Sequence, residues 1–339
     1  MIIVLKPRIS RKEEQAVLKE IRKLGYTPHV MRGVARTVIG AIGDELTHAN
    51  LETLVSEFPR AVESVMPIQK RYKLVSREAH PANSTIRVRE HVIGGKKLHV
   101  MAGPCSVESE KQLLATAEAV KATGATFLRG GAFKPRTSPY EFQGLGEKGL
   151  KLLAKARKET GLPVITELLS ENHAEMVAEY TDIIQIGARN AQNFQLLIAA
   201  AKTGKPVLLK RGLSMKIEEW LLAGEYVLAN ENPNLLFCER GIRTFETYTR
   251  NTLDLSTIPI IKRESHCPIV IDPSQGAGRA DLVAAMCKGA VAMGADALLI
   301  EVHPNPAEAW SDGAQQVSFD MFAKLMQELN PFIAAAGRE

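Results

Sequence analysis

Cationic side chains at the ends of short apolar runs are the residues best placed to do chemistry in this 339-residue chain. They are Arg129, Arg189, Lys210 and Arg240. The guanidinium group of Arg offers a planar fork for bidentate contacts with phosphate or carboxylate, and Lys supplies a compact charge. Four such cations on four separate runs predict a site for anionic substrates, provided that the fold brings the run ends together.

The segment 129–139 concentrates positive charge at the end of one apolar run and in the loop that follows it. Arg129, Lys134 and Arg136 lie within eight residues, and such crowding is self-repelling unless anions compensate it. A solvated basic loop would explain Arg136 alone, but it explains poorly Arg129, which directly ends an apolar run. With the other cations, this segment could neutralise about two phosphate dianions and a carboxylate, each phosphate carrying about −1.5 to −2 charges.

A second set of residues is suited to metal binding. Cys105 follows the first apolar run, Glu301 ends the eighth, and Asp312 lies in the segment after it. A lone Cys or Glu is more often structural, so the hypothesis depends on all three. A thiolate with two carboxylates suits a divalent transition metal.

Eight continuous apolar runs separate these residues and predict the fold. The runs cover 98–102, 126–128, 164–166, 183–186, 207–209, 235–237, 269–271 and 298–300. Continuous rather than alternating runs are typical of parallel strands buried on both faces. Helical patterns follow them at 110–123, 146–160, 171–180, 193–203, 215–230, 257–263, 281–293 and 319–336.

Eight strand–helix units favour an α/β fold of the (β/α)8 TIM-barrel class, which builds its active site at the carboxyl ends of its strands. Glu167 and Asp272, after the third and seventh runs, are therefore predicted to join the substrate site. An open doubly wound sheet is the alternative. It would usually show a glycine-rich nucleotide turn after its first strand, and Gly-Pro-Cys-Ser at 103–106 is not one.

The N-terminal part carries a different pattern. Strands at 2–5, 29–31, 37–42 and 62–65 and helices at 10–24 and 47–57 give the order β-α-β-β-α-β, a small ferredoxin-like α+β domain. Gly33 and Gly43 are interpreted as turn residues. The predicted domains are a regulatory unit at 1–66, a linker at 67–96 that adds a short hairpin, and a catalytic barrel at 97–339.

Composition excludes several functional classes. Apolar residues make up 45% and charged residues 24%, and the net charge of +5 is scattered along the chain, which gives no case for nucleic-acid binding. No apolar stretch reaches the roughly 18 residues of a membrane span, and the N-terminus lacks signal-peptide order. We therefore expect a cytoplasmic protein, with its four separated cysteines reduced.

Several long motifs resemble those of 3-deoxy-D-arabino-heptulosonate 7-phosphate (DAHP) synthases, in particular the short class with a ferredoxin-like N-terminal domain. The motifs are GPCS (103–106), LRGGAFKPRTSP (128–139), QGLGEKGL (143–150), QIGARNAQN (185–193), LLKRG (208–212), CERGIRTFE (238–246) and EVHP (301–304). The KPRTS loop is similar to that of enzymes using erythrose 4-phosphate. The sister octulosonate 8-phosphate synthases normally have KANRS there.

The resemblance implies a transferase that condenses phosphoenolpyruvate with erythrose 4-phosphate in the first step of the shikimate pathway. By motif, phosphoenolpyruvate would be held by Arg129, Lys134, Arg189, Lys210 and Arg240. Erythrose 4-phosphate would face Arg136, Thr137 and Ser138. Lys134, Cys105 and Glu301 are the predicted catalytic residues. The resemblance also implies an aromatic amino acid effector and a homotetramer or homodimer.

One position departs from the family pattern. The metal-binding His of a DPSH-like segment is replaced by Gln275. Glutamine can bind a metal only through its neutral carbonyl oxygen, a weaker donor than imidazole toward late transition metals. The predicted metal ligands are Cys105, Gln275, Glu301 and Asp312, with an ion of the Mn, Co, Fe, Zn or Cd type.

Two other functions remain open from the sequence. A related phosphoenolpyruvate-dependent sugar-phosphate synthase would differ in its aldose. A ligand-binding barrel without turnover would have lost its chemistry at Gln275, although every cationic position of the family pattern is filled.

The substitution Gln275→His is expected to tighten metal binding, because imidazole replaces a weak carbonyl donor. Metal titration of both proteins measures this. Unchanged metal affinity and activity would count against Gln275 as a ligand.

Overall fold

A computed structural model describes residues 1–7, 9–32, 37–42, 51–66 and 71–339. The chain forms two compact units, Met1–Arg71 and Tyr72–Glu339. The predicted turn glycines Gly33 and Gly43 and the predicted helix start at residue 47 lie outside the described residues. Among the described residues, no helix has both the length and the apolar character needed to cross a lipid bilayer.

The first unit has the predicted ferredoxin-like arrangement. The elements among its described residues are β1 (Ile2–Leu5), α1 (Arg11–Lys23), β2 (Thr27–Arg32), β3 (Thr37–Ile42), α2 (Leu54–Glu57) and β4 (Val62–Met66). The strands form an antiparallel sheet in the order β2-β3-β1-β4. A capping box between Ser10 and Glu13 starts α1. The buried face of this helix, with Val17 and Ile21, shares one apolar core with Ile3 of β1.

The second unit contains a closed barrel of eight parallel strands, which confirms the predicted fold class. The strands are β7 (His99–Gly103), β8 (Phe127–Arg129), β9 (Val164–Leu168), β10 (Ile183–Ile186), β11 (Val207–Lys210), β12 (Leu235–Glu239), β13 (Ile269–Ile271) and β14 (Ala297–Glu301). Each strand pairs with its neighbours in chain order, and β14 pairs with β7 to close the ring. All eight carboxyl ends therefore face the same way.

Helices follow the strands as the patterns predicted. They are α3 (Glu110–Ala122), α4 (Glu147–Thr160), α5 (Ala174–Tyr180), α6 (Phe194–Lys202), α7 (Ile217–Leu228), α8 (Thr257–Glu264), α9 (Pro273–Ala277), α10 (Ala280–Ala292) and α11 (Phe319–Ala335). Two details differ from the prediction. The helix predicted at 171–180 begins as a separate 3-10 turn, Glu171–His173, and the short α9 was not predicted.

Apolar side chains fill the barrel interior. Met101, Phe127 and Leu208 belong to this inner core, and all three are fully buried. The predicted hairpin is present as β5 (Ile86–Val88) and β6 (His91–Ile93), and it adds apolar side chains to the same core. The interior is thus a packed core, and polar chemistry is confined to the strand ends.

The chain approaches itself very closely where β7 ends. A Cβ at Gly103 would lie 2.1 Å from the carbonyl oxygen of Arg129, and the φ angle of Gly103 is +154°. Beyond this point, the amide of Gly131 donates to the carbonyl oxygen of Cys105 at 3.2 Å. Glycine at position 103 therefore allows Cys105 and Arg129 to lie on adjacent strand ends.

Replacing Gly103 by Ala is expected to destabilise the protein by about 1–3 kcal/mol, because the new methyl group forces the two strand ends apart. Urea unfolding measures the change. Gly95→Ala is the matched control, since its nearest contact would be an ordinary 3.6 Å from the carbonyl oxygen of Val92. Equal stability of the two variants would contradict the steric argument.

Candidate active site

The barrel brings the predicted cations to one end. Arg129 and Lys210 are the last residues of β8 and β11, and Arg240 directly follows β12. Arg189 lies in a 3-10 turn, Ala188–Asn190, shortly after β10. Because the strands are parallel in a closed ring, residues far apart in sequence meet at one rim.

A pocket of about 230 Å³ opens at this rim. Six cationic side chains line it: Lys134, Arg136, Arg189, Lys210, Arg240 and Arg250. Only three carboxylates, of Glu141, Glu167 and Asp312, stand beside them in the lining. The balance of charge favours an anionic ligand.

Most of the predicted substrate residues line this pocket, including Thr137 and Glu167. Arg129, Ser138 and Asp272 are not part of the lining. The hydroxyl oxygen of Ser138 accepts a hydrogen bond from the amide of Tyr140 at 3.3 Å. Gly187 leaves space for the side chain of Glu167, because a Cβ at position 187 would lie 1.9 Å from the Glu167 carboxylate.

Some cations already have carboxylate partners. The ammonium of Lys210 lies 2.6 Å from Asp272 Oδ2, and both residues are buried. The other oxygen of Asp272 accepts the amide of Gln275 at 2.9 Å and caps α9. Arg136 pairs with Glu141 at 2.8 Å. These pairs compensate only part of the positive charge around the pocket.

Arg240 is the clearest cation without a carboxylate partner. It is only 5% exposed, yet it forms no ion pair with any described residue. Its guanidinium donates to the carbonyl oxygen of Gly241 at 3.3 Å and to Gln275 Oε1 at 3.0 Å. Burial lowers the pKa of Arg240 from its ordinary value. The charges of Asp272 and Glu239 only partly offset this effect of burial, so an anion bound to the guanidinium would stabilise the buried cation.

Two further cations, Arg189 and Arg129, also have donors available for an anion. Arg189 lines the pocket as an exposed residue and forms no ion pair within the described part of the chain. Arg129 lies 3.3 Å from Glu301 Oε1 and donates to the carbonyl oxygen of Pro104 at 2.7 Å. Its Nε is nevertheless buried without any acceptor among the described residues. An additional acceptor would satisfy this donor.

The three predicted metal-binding residues also come together. One ligand atom from each of Cys105, Glu301 and Asp312 lies within 4.8 Å of the others. Cys105 is fully buried, and its Sγ lies 3.3 Å from Asp312 Oδ2. One sulfur and two carboxylate donors at this spacing fit a divalent transition metal.

The protonation of this trio follows from its neighbours. Burial, reinforced by the charge of Glu301, raises the pKa of the Cys105 thiol to about 12. Burial also opposes ionisation of Asp312, but the charges of Lys134 and Arg250 outweigh it and lower that pKa to about 2. A metal would therefore displace a proton from Cys105 but not from Asp312.

Gln275 contacts the trio through its amide nitrogen. Its Nε2 donates to Glu301 Oε1 at 3.0 Å and approaches Asp312 Oδ2 at 3.4 Å. Its Oε1, the only atom of this side chain that could bind a metal, faces Arg240. As a fourth ligand, Gln275 would have to turn its amide by about half a turn, whereas the other three residues need no such change.

Lys134 joins the pocket to the trio. Its ammonium donates to Cys105 Sγ at 3.0 Å and to the carbonyl oxygen of Cys105 at 3.3 Å. Although burial opposes its charge, Cys105 and Glu301 raise the pKa of Lys134 from its ordinary value. The side chain is therefore a charged donor located between the anion pocket and the candidate metal site.

Arg250 is a site residue that the sequence reasoning missed. Its guanidinium lies 3.0 Å from Asp312 Oδ1 and 3.1 Å from Gln315 Oε1, and Gln315 donates to Glu301 Oε2 at 2.7 Å. Arg250 lies in an irregular segment between β12 and α8, where no periodic pattern marks it. By contrast, Arg211 pairs with Glu239 at 2.9 Å and is not part of the pocket lining.

Comparison with known proteins agrees with this architecture. The profile of the DAHP synthetase I family matches residues 78–335, and that of the DAHP synthase ferredoxin-like domain matches residues 1–70. The chain belongs to the DAHP synthetase I family. The family resemblance inferred from the motifs is thereby confirmed.

Several relatives of this DAHP synthetase I chain are known. A phospho-2-dehydro-3-deoxyheptonate aldolase of Thermotoga maritima is 49% identical over 339 residues, covering 99% of both chains. A crystal structure of a Thermotoga maritima DAHP synthase has a TM-score of 0.89 at 48% identity, covering 100% of this chain and 98% of that one. A 2-dehydro-3-deoxyphosphooctonate aldolase of Caulobacter vibrioides is 34% identical, covering 74% of this chain and 91% of its own.

The buried pair of Lys210 and Asp272 makes a stability prediction. Lys210→Met is expected to cost about 3–5 kcal/mol, because it removes the ion-pair partner of the buried Asp272. Adding Asp272→Asn is expected to recover most of that loss, since Asn still caps α9. Urea unfolding of both single variants and the double variant measures the coupling. A double variant no more stable than Lys210→Met would contradict this account.

Proposed function

We propose that this chain is a DAHP synthase, which condenses phosphoenolpyruvate with erythrose 4-phosphate and water to give DAHP and phosphate, the first step of the shikimate pathway. The proposal depends on the buried Arg240, which forms no ion pair with a carboxylate of the described chain and lies in a pocket lined by six cations. Two phosphorylated substrates supply the anions that this pocket lacks. The whole-chain likeness to a heptonate aldolase supports the same reaction.

The aldose is proposed to be erythrose 4-phosphate rather than the longer sugar of the octulosonate enzymes. The KPRTS loop supports this choice, and its Arg136 and Thr137 line the pocket. Arg136 and Thr137 are more exposed than Lys134, Lys210 and Arg240, which leaves these buried cations to the other substrate. The octonate aldolases also match a smaller share of the chain than the heptonate relative does.

Phosphoenolpyruvate is proposed to bind the buried cations Arg129, Lys134, Lys210 and Arg240 together with Arg189, an exposed residue of the pocket lining. Arg240 and Arg189 are free to accept an anion at once, because neither is held by a carboxylate among the described residues. Lys210 can share its charge between Asp272 and the ligand. Holding two mutually repelling anions side by side in the pocket lowers the entropic barrier to their reaction.

The bond changes follow from the two substrates. The C3 carbon of phosphoenolpyruvate attacks the aldehyde carbon, water adds at C2, and the C–O bond to phosphate breaks. A divalent ion held by Cys105, Glu301 and Asp312 would supply Lewis-acid polarisation of the aldehyde. Lys134, which lies beside Cys105, is the proposed donor of a proton to the oxygen that becomes the new hydroxyl. Glu167 lies in the pocket wall as a further polar contact.

The ferredoxin-like unit is proposed to be a regulatory domain that binds an aromatic amino acid, and the protein is proposed to act as a homotetramer or homodimer. The match of the DAHP synthase ferredoxin-like domain to residues 1–70 supports the first proposal. The boundaries 1–66, 67–96 and 97–339 are proposed for the regulatory unit, the linker and the catalytic barrel.

A ligand-binding barrel without turnover is the competing function. The observation that favours it is the amide nitrogen of Gln275 beside both carboxylates of the trio. Such a protein would bind phosphoenolpyruvate and release no phosphate.

The proposed activity predicts phosphate release that requires both substrates. We expect turnover with erythrose 4-phosphate to exceed that with arabinose 5-phosphate, to stop after chelation, and to return when Mn²⁺, Co²⁺ or Zn²⁺ is restored. Arg136→Ala should mainly raise the KM for the aldose, because this residue belongs to the KPRTS loop that is proposed to hold erythrose 4-phosphate.

The matched control is Arg279→Ala. Arg279 also pairs with a carboxylate, Asp281, but it is not part of the pocket lining. Binding of phosphoenolpyruvate without phosphate release under any metal would contradict the proposed enzyme and support the ligand-binding barrel.

A further inference from the structure

The side-chain amide of Gln275 lies between the anion pocket and the candidate metal site. One end faces Arg240 at 3.0 Å, and the other faces Glu301 and Asp312 at 3.0 and 3.4 Å. The orientation is fixed by chemistry: a guanidinium only donates, so the atom facing it must be the oxygen, whereas ionised carboxylates only accept. A flipped amide would therefore lose its hydrogen bonds to Arg240 and to the two carboxylates.

The carboxylate oxygens of the trio are already engaged by donors of the protein. Glu301 Oε1 accepts from Arg129 and Gln275, and Oε2 accepts from Gln315. Asp312 Oδ1 accepts from Arg250, and its Oδ2 contacts Gln275 and Cys105. A cation that enters the trio must displace the Gln275 donor, and it gains a fourth ligand only if Oε1 turns toward it.

The hydrogen bond from Arg240 opposes that turn. Arg240 is buried and has no carboxylate partner among the described residues, so Gln275 Oε1 is one of its two acceptors. An anion bound to the guanidinium offers a stronger, charge-assisted acceptor than a neutral amide. Once the anion is bound, Arg240 has another acceptor and can release the oxygen of Gln275.

We propose that Gln275 couples the two sites: anion binding at Arg240 releases the amide, which then turns its oxygen to a divalent metal beside Cys105, Glu301 and Asp312. The inference rests on the proposed function for the identity of the anion, phosphoenolpyruvate. Because coupling between binding equilibria is reciprocal, the metal also tightens anion binding. Gln275 thus exchanges Arg240 for the metal as the partner of its oxygen, and a His at this position would lack this exchange.

The test is a titration of metal-free protein with Co²⁺, followed by the thiolate-to-cobalt charge-transfer absorption of Cys105. Each titration is performed with and without saturating phosphoenolpyruvate, and again with inorganic phosphate. We expect the ligand to lower the Kd for Co²⁺ by about five- to tenfold in the wild-type protein, which lies within the usual range of coupling between sites.

Two variants separate coupling from other effects. In Gln275→His the metal should bind more tightly and the ligand should change its Kd less than twofold. Because the ligand complexes the same amount of free Co²⁺ in both titrations, the comparison of the two proteins also corrects for this effect. Gln275→Ala should bind Co²⁺ weakly and also lose the coupling. The same ligand-induced change in all three proteins, or none in the wild-type protein, would overturn the inference.

The titration does not depend on turnover. Coupled binding without phosphate release would overturn the proposed enzyme but leave this inference intact. Phosphate release with uncoupled binding would do the reverse.

Discussion

Buried positive charge is the constraint on which the rest of this structure depends. A closed parallel barrel places all strand ends at one rim, and this chain ends four of its strands or strand loops with Arg or Lys. Such crowding is unfavourable without negative partners. The chain compensates some cations internally, as with Lys210 and Asp272, and leaves Arg240 and Arg189 without a described carboxylate partner. The remaining positive charge makes the pocket suited to anionic ligands.

The metal-binding trio depends on the same arrangement of charges. Glu301 and Asp312 lie close together because Arg129, Arg250 and Lys134 surround them. Removal of these cations would leave two carboxylates to repel each other. The anion pocket and the trio are therefore parts of one electrostatic system, in which Lys134 and Gln275 contact both sides.

The strand-end residues could be predicted from the sequence because a parallel barrel converts a simple pattern, an apolar run followed by a charge, into a shared location. Arg129, Lys210 and Asp272 were found in this way. Arg250 could not be found, because it lies in an irregular segment whose path depends on tertiary contacts such as that with Asp312. The short helix α9 was also missed, since five residues give no periodic signal. The side-chain orientation of Gln275 also could not be predicted, because it depends on a contact with Arg240, which lies 35 residues away in sequence.

Thermal unfolding at increasing concentrations of phosphoenolpyruvate tests the central claim most directly, with potassium chloride used to hold ionic strength constant. A ligand that binds only the folded protein stabilises it by about 2.7 kcal/mol at a hundred times its Kd. We predict that Tm rises steadily with phosphoenolpyruvate concentration and that Arg240→Ala greatly reduces the rise. A Tm that stays the same when phosphoenolpyruvate replaces chloride at equal ionic strength would contradict the view that the uncompensated cations form the anion site.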